Sequence, residues 1–240
     1  MSAPAGGFPG GTSVSLLDVY ADEAPDGICG GSPHMHLVST ECYVVTGGVG
    51  ALQTIDRSGF RETALREGSV VWFTPGTIHR AVNRGGLRAV VLMGNAGLPE
   101  AGDAVMTFPV HILADREAYA RAATLAAADD PGARAESAQR RRDLAALGFG
   151  ELRRAVEAGA KEALDDFYAA ALALVRDRAE AWPDIVRGAP LREAEASLAR
   201  AEAVSAGDGR HLSEGTIFEA AASAGQGFGM CGRLTTFSLG

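Results

Sequence analysis

Up to about residue 113, apolar and polar positions alternate in short runs, and turn residues interrupt the runs every few positions. Residues 14–20 read as a first strand, followed by a Gly- and Pro-punctuated loop over 22–33. Runs at 41–46 and 49–55 flank Gly47-Gly48, and a Gly-Gly pair between β-branched stretches predicts a hairpin turn. Further strands are expected at 60–65, at 69–73, around His79, Ala81 and Asn83, at 87–93 and at 105–113. Many short strands with frequent turns predict an antiparallel sandwich or barrel.

The pattern changes near Asp115, and from there to Gly209 the chain is rich in Ala, Glu and Arg, which favours helix. Leu152, Val156, Ala160, Leu164, Phe167, Ala171 and Leu174 recur at intervals of three or four, predicting one helix over 151–181 that ends at Trp182-Pro183. A shorter stripe, Leu191, Ala194, Leu198 and Ala201, predicts a helix that begins at Pro190 and stops near Gly207. Such faces must be buried on each other, on the barrel or on a second subunit. Residues 233–238 read as a strand that joins a sheet of the same barrel or of a neighbour. The run Gly227-x-Gly229-x-x-Gly232 nominally matches a dinucleotide fingerprint, but it lacks a preceding strand and a following helix, so it predicts a flexible connection. The chain thus divides into a barrel (1–114), a helical extension (115–210) and a tail (211–240). Residues 1–12, rich in Gly, Pro and Ala, are expected to be poorly ordered.

At 240 residues the chain is long enough to bury a substantial core. Net charge is −8, Lys161 is the only lysine, and no basic stripe is present, which argues against nucleic acid as a partner. No apolar run is long enough to span a bilayer and no signal-peptide pattern is present, so a cytoplasmic location is expected, with no membrane partner. Cys29, Cys42 and Cys231 are widely spaced and odd in number, and read as reduced thiols.

Candidate chemistry concentrates in His34-Met35-His36-Leu37-Val38-Ser39-Thr40-Glu41, with His79 further on. On a strand, side chains alternate, so His34 and His36 face one way and Met35 the other. Glu41 reaches the same interior only if the chain turns over 37–40. Imidazole and carboxylate together suit a divalent first-row metal, with open positions left for water or substrate. Of five histidines, His111 is assigned to structure and His211 reads as a surface residue, unless the tail folds over the barrel mouth. Tyr43 shares a face with Glu41 and could line the pocket or simply fill the core. Cys42 turns away. Asn83 could orient a ligand or close a turn.

These residues resemble the two motifs of the cupin superfamily. His34, His36, Glu41 and Gly48 match the first, and Gly68, Gly76, His79 and Asn83 the second. Two turn positions depart from the pattern, since Ile28 and Thr74 stand where Gly and Pro are expected, with Gly27 and Pro75 adjacent. The resemblance covers about the first 115 residues. It implies a mainly β protein with α, an antiparallel jelly-roll barrel followed by a helical region. It also implies one divalent transition metal ion (Fe, Mn, Ni or Zn) on His34, His36, Glu41 and His79. The function expected is a metal-dependent enzyme acting on a small polyoxygenated metabolite, more narrowly a dioxygenase. A sugar isomerase or epimerase and a non-catalytic binding module are the alternatives. Arg61, Arg80 and Arg88 are candidates for anion contact, no further catalytic residue is assigned, and a homodimer is compatible with the helical extension.

Overall fold

The computed structural model describes residues 8–160 and 162–239. Its frame is a pair of long strands, β3 (Glu41–Asp56) and β6 (Ile78–Met93), running antiparallel from Glu41 opposite Met93 to Ile55 opposite Ile78. β1 (Ser13–Val19) pairs with β6 along 88–93. β4 (Gly59–Arg66) pairs with the end of β3, and β5 (Val70–Phe73) with its start. β2 (His34–His36) lies between the start of β6 and β7 (Ala104–Met106). From the far end of the chain, β9 (Gly232–Thr236) pairs with β1 and carries β8 (Gly227–Phe228) at its edge. Among the described residues the result is one nine-stranded antiparallel sheet.

The expected hairpin at Gly47-Gly48 is not formed. β3 continues straight through, with register shifts between Val45 and Gly50. Gly48 sits at φ 75°. A Cβ there would lie 2.1 Å from the Gly86 carbonyl oxygen. The glycines let two strands bend together at a barrel corner, which is the other structural use of glycine inside a strand. Likewise the stretches around His79 and at 87–93 are one strand, bent at Gly85-Gly86. The strand expected at 105–113 stops at Met106, and Val110–Leu113 (α1) is helical after Pro109.

Alternation gives the curved sheet two faces. Leu17, Tyr43, Val45, Phe73, Ala89 and Val91 point into the barrel and are packed together. The intervening residues point outward. Cross-strand register lines up Leu16, Val90, Val44 and Val70 in one outer row, and Val14, Leu92, Cys42 and Trp72 in the next.

The helices cover a different outer face. α2 (Arg116–Ala123) is capped by Asp115, whose carboxylate accepts from the Glu117 and Ala118 amides. α3 (Pro131–Glu157) starts with Asp130 as cap and Pro131 in the first turn. α4 (Glu162–Ala179) follows. The predicted single helix over 151–181 is therefore two, because Gly159 at φ 86° reverses the chain. The apolar stripe is real but continues across the turn: Leu152, Leu164, Phe167, Ala171 and Leu174 share one core with Met35, Ile55, Ile78 and Val105 of the barrel. Trp182-Pro183 opens a helix, α5 (Trp182–Val186), instead of ending one. It runs through a π-helical turn, Arg187–Leu191, that contains Pro190, into α6 (Arg192–Ser205).

The tail joins its own barrel, and Gly227 to Gly232 forms the β8–β9 turn, where a flexible connection was expected. Near the N-terminus, residues 8–12 are tied down by the turn Pro9–Gly11 and by the Ala96 amide donating to the Gly11 carbonyl. The remainder of the 1–12 expectation, residues 1–7, falls outside the described residues, as does Lys161. No described helix is long and apolar enough to cross a membrane.

Candidate metal centre

β2 delivers His34 and His36 to the barrel interior and Met35 to the opposite core, as alternation requires. His34 stands directly opposite His79 of β6. The chain turns over 37–40 as expected, and Glu41 opens β3 facing the same interior. One donor atom from each of His34, His36, Glu41 and His79 lies within 4.8 Å of the others, and all four residues are buried.

The histidine tautomers follow from their partners. His34 Nδ1 lies 2.9 Å from the Ser32 carbonyl oxygen and His79 Nδ1 lies 3.2 Å from the Thr77 carbonyl oxygen. A carbonyl can only accept, so each Nδ1 carries the hydrogen and each Nε2 is the nitrogen left to bind a metal. Glu41 Oε2 lies 3.2 Å from His79 Nε2 and 3.3 Å from His36 Nε2. Both Glu41 Oε2 and His79 Nε2 are buried without a hydrogen-bond partner. Lone pairs facing one another at that distance repel unless a cation lies between them. An ion about 2.1 Å from two donors at tetrahedral or octahedral angles holds them roughly 3.0–3.4 Å apart, the separation seen. The donor set therefore fits a divalent metal ion.

Electrostatics agree. Burial and the neighbouring rings of His79 and His36 hold His34 well below its ordinary value. His36 also loses by burial, but the carboxylates of Asp103 and Glu41 outweigh that and raise it to about 9. Burial works against ionised Glu41, yet His36 and His79 beside it keep its carboxyl well below the usual range.

Four residues near the cluster were missed or left open by the sequence. Asp103 is fully buried, and its carboxylate accepts from the backbone amides of Leu37, Val38 and Ser39 at 3.0, 2.8 and 2.8 Å. The same carboxylate lies 3.5 Å from His36 Nδ1. Asp103 thus folds the turn that brings Glu41 round and also orients the His36 ring. Tyr43 is buried in the barrel, with its hydroxyl 3.2 Å from Cys231 Sγ. Cys231 arrives on the C-terminal tail, where the Ser32 amide donates to the Met230 carbonyl. Burial, with Glu41 nearby, raises the Cys231 thiol to about 12 and Tyr43 well above its ordinary value, so both stay protonated. Phe73 packs on His79 with ring centroids 4.2 Å apart.

Other candidates fall away from the cluster. The Asn83 side chain donates to the Val19 carbonyl and accepts from the Gly85 and Leu87 amides, so it closes the bend in β6. Arg80 is buried in an ion pair with Asp26, and Arg61 and Arg88 are exposed. His111 and His211 are not in the cluster.

Among curated proteins no relative matches significantly. Of solved structures, Pac13 from Streptomyces, described as a nucleoside dehydratase, is 16% identical over 42% of this chain and 71% of that one, with TM-score 0.32. A cupin protein from Bacteroides fragilis is 17% identical over 36% of this chain and 68% of that one, with TM-score 0.28. CapF, the capsular polysaccharide assembling protein of Staphylococcus aureus, is 20% identical over 43% of this chain and 27% of that one, with TM-score 0.30. Residues 23–94, which contain all four clustered side chains, match the sequence profile described as Cupin domain. The chain therefore carries a cupin domain over residues 23–94.

Proposed function

We propose that this protein is a metal-dependent cupin enzyme in which His34, His36, Glu41 and His79 hold one divalent transition ion (Fe, Mn, Ni or Zn). Its substrate is a small polyoxygenated metabolite offering hydroxyl, enol or carbonyl oxygens, and the narrower reading is oxygenative cleavage of the dioxygenase type. The observation that carries the metal is the set of bare, buried lone pairs on Glu41 and His79, 3.2 Å apart with no hydrogen bond between them. When bound, the ion supplies Lewis acidity toward a substrate oxygen and, where it is redox-active, reactivity toward O2.

The chain's own residues supply the rest. Tyr43 holds a proton at its hydroxyl inside the barrel, beside the Cys231 thiol. A group able to move a proton next to the ligands is what separates an enzyme from a barrel that only holds a ligand. Phe73 and the aliphatic wall of Val45, Ala89 and Val91 keep water from the buried faces of the rings. His34 and His79 are 1% and 0% exposed and His36 and Glu41 5% each, so the barrel encloses all four. In this reading residues 1–114 and the strand from 211–240 form the working unit, and 115–210 buttresses it.

The test is to purify the protein without added metal, measure its metal content, and follow O2 uptake and products with enolic and sugar substrates. One ion per chain with O2 uptake supports the dioxygenase reading. Isomerised product without uptake replaces it with the isomerase. Failure to bind any of the four metals overturns the function altogether. His79→Ala should lose both ion and turnover, whereas Tyr43→Phe should keep the ion and lose about 100-fold in turnover.

A further inference from the structure

A cavity of about 280 Å³ lies between α3 and the β8–β9 hairpin, and none of the four clustered donors lines it. Its walls are Tyr20, just past the end of β1, Arg142 of α3, and Phe228 and Arg233 of the hairpin. That volume holds about nine waters, or one small metabolite.

The charges around it do not balance. Arg141 and Arg142 are only 8% and 2% exposed on α3. Arg142 is engaged, pairing with Asp143 and donating to the Asp22 and Glu23 carbonyls. Arg141 is not: its Nη2 donates to the Gly229 carbonyl at 2.8 Å, and its Nε is buried without a partner. The Tyr20 hydroxyl donates to the same carbonyl at 3.0 Å, which brings Arg141 up to the cavity wall. Half-buried Arg233 lies over the Phe228 ring, 3.6 Å from its centroid, while Asp18, its neighbour across the sheet, accepts from Gln226. Two acids line the cavity, Asp22 and Glu136, but both are exposed, and Glu136 pairs with Arg140. Among the described residues Arg141 and Arg233 have no carboxylate within ion-pair distance.

A guanidinium withdrawn from water is costly unless a negative charge or a full set of acceptors replaces the water. Arg141 has neither. Burial pulls it below its ordinary value, and only Tyr20 and Tyr119 act in the other direction. Tyr20, whose hydroxyl burial raises, feels the charges of Arg141, Arg233 and Arg142 together. Three guanidinium groups thus surround one phenol, and one of the three has a counter-charge. The chain as a whole carries −8, so this local excess is not part of a generally basic surface. An anion in the cavity would supply the missing partner through charge-assisted hydrogen bonds, for which the planar guanidinium is suited.

We propose that this cavity binds a small organic anion, a carboxylate or a phosphate monoester, with its charged group between Arg233 and Arg141 and its body against Phe228. The occupant bridges α3 and the hairpin that carries Cys231 to Tyr43. The test is calorimetric titration of the full-length protein with benzoate and with phenyl phosphate, using benzyl alcohol as the neutral counterpart. One anion should bind per chain, and the tighter of the two probes tells which charged group the site prefers. Benzyl alcohol should bind at least about tenfold more weakly. Arg233→Gln should raise the dissociation constant by about 10–100-fold, and Arg141→Met should do the same. Arg141→Met also separates a ligand site from a structural role. Without anion its Tm should equal or exceed that of wild type, because the change removes a buried charge that has no counter-ion. Arg233→Gln, on a half-buried side chain, decides the matter if Arg141→Met fails to fold. His79→Ala should leave binding unchanged, since His79 does not line the cavity. The site is overturned by no saturable binding of either anion below about 10 mM, or by benzyl alcohol binding as tightly. Binding indifferent to both arginine changes, or lost with His79→Ala, overturns it equally.

Discussion

His36 lies between two carboxylates, with Asp103 3.5 Å from its Nδ1 and Glu41 3.3 Å from its Nε2. Without metal its value stands at about 9, so at pH 7 it carries a proton that an incoming ion must displace. Affinity should therefore climb with pH, by up to about tenfold per unit, and level off near pH 9. Calorimetric titration with Zn²⁺ in buffers of different ionisation enthalpy should read about one proton released per ion at pH 7. Asp103→Asn removes the charge that holds this proton and one acceptor for the 37–39 amides. It should lower metal affinity by about 10–100-fold and bring proton release below one. Proton release unchanged in that variant would remove the positioning role given to Asp103. Nothing around Asp103 in the sequence marks it, because its partners lie 64 or more residues away and it belongs to no motif. The four clustered donors were legible because the alternation of a strand and the spacing of the two motifs act locally.

At the scale of elements, the sequence showed where strands and helices lie better than where they stop. Gly47-Gly48 looks like a turn from its neighbours alone, and only the opposing Gly85-Gly86 in β6 makes it a corner. The stripe from Leu152 to Leu174 is continuous because both helices face one core, so periodicity could not reveal the reversal at Gly159. α3 offers a sharp test of how the helical layer seats on the barrel. A Cβ on Gly148 would lie 2.1 Å from the Thr107 carbonyl oxygen, whereas one on Gly150, in the same helix, would meet nothing within 4 Å. Gly150→Ala should therefore stabilise the protein by about 0.5–1 kcal/mol through helix propensity. Gly148→Ala gains the same propensity but forces α3 off the backbone at Thr107, and should destabilise by about 1–3 kcal/mol net. Paired urea titrations would read the opposite signs. A Gly148→Ala protein as stable as wild type would mean that α3 does not rest where the structure puts it.

In the whole molecule the candidate centre is where distant parts of the chain meet. β2, β3 and β6 each contribute donors, and the C-terminal tail packs Cys231 against Tyr43 beside them. An ion on His34, His36, Glu41 and His79 would cross-link three strands and relieve the repulsion among their lone pairs, so binding energy becomes folding energy. At free metal 100-fold above the dissociation constant, the folded state gains about 2.7 kcal/mol. For a chain of this size that corresponds to a rise of roughly 5–10 °C in Tm. A chelator should therefore lower Tm by that amount, and re-addition of the native ion should restore it. His34→Ala should abolish the metal-dependent shift while leaving the chelated Tm close to that of chelated wild type, because the removed ring lies among groups that repel one another without the ion. A chelator without effect on wild-type Tm, in protein shown to have carried the ion, would mean that the four donors are not what holds it.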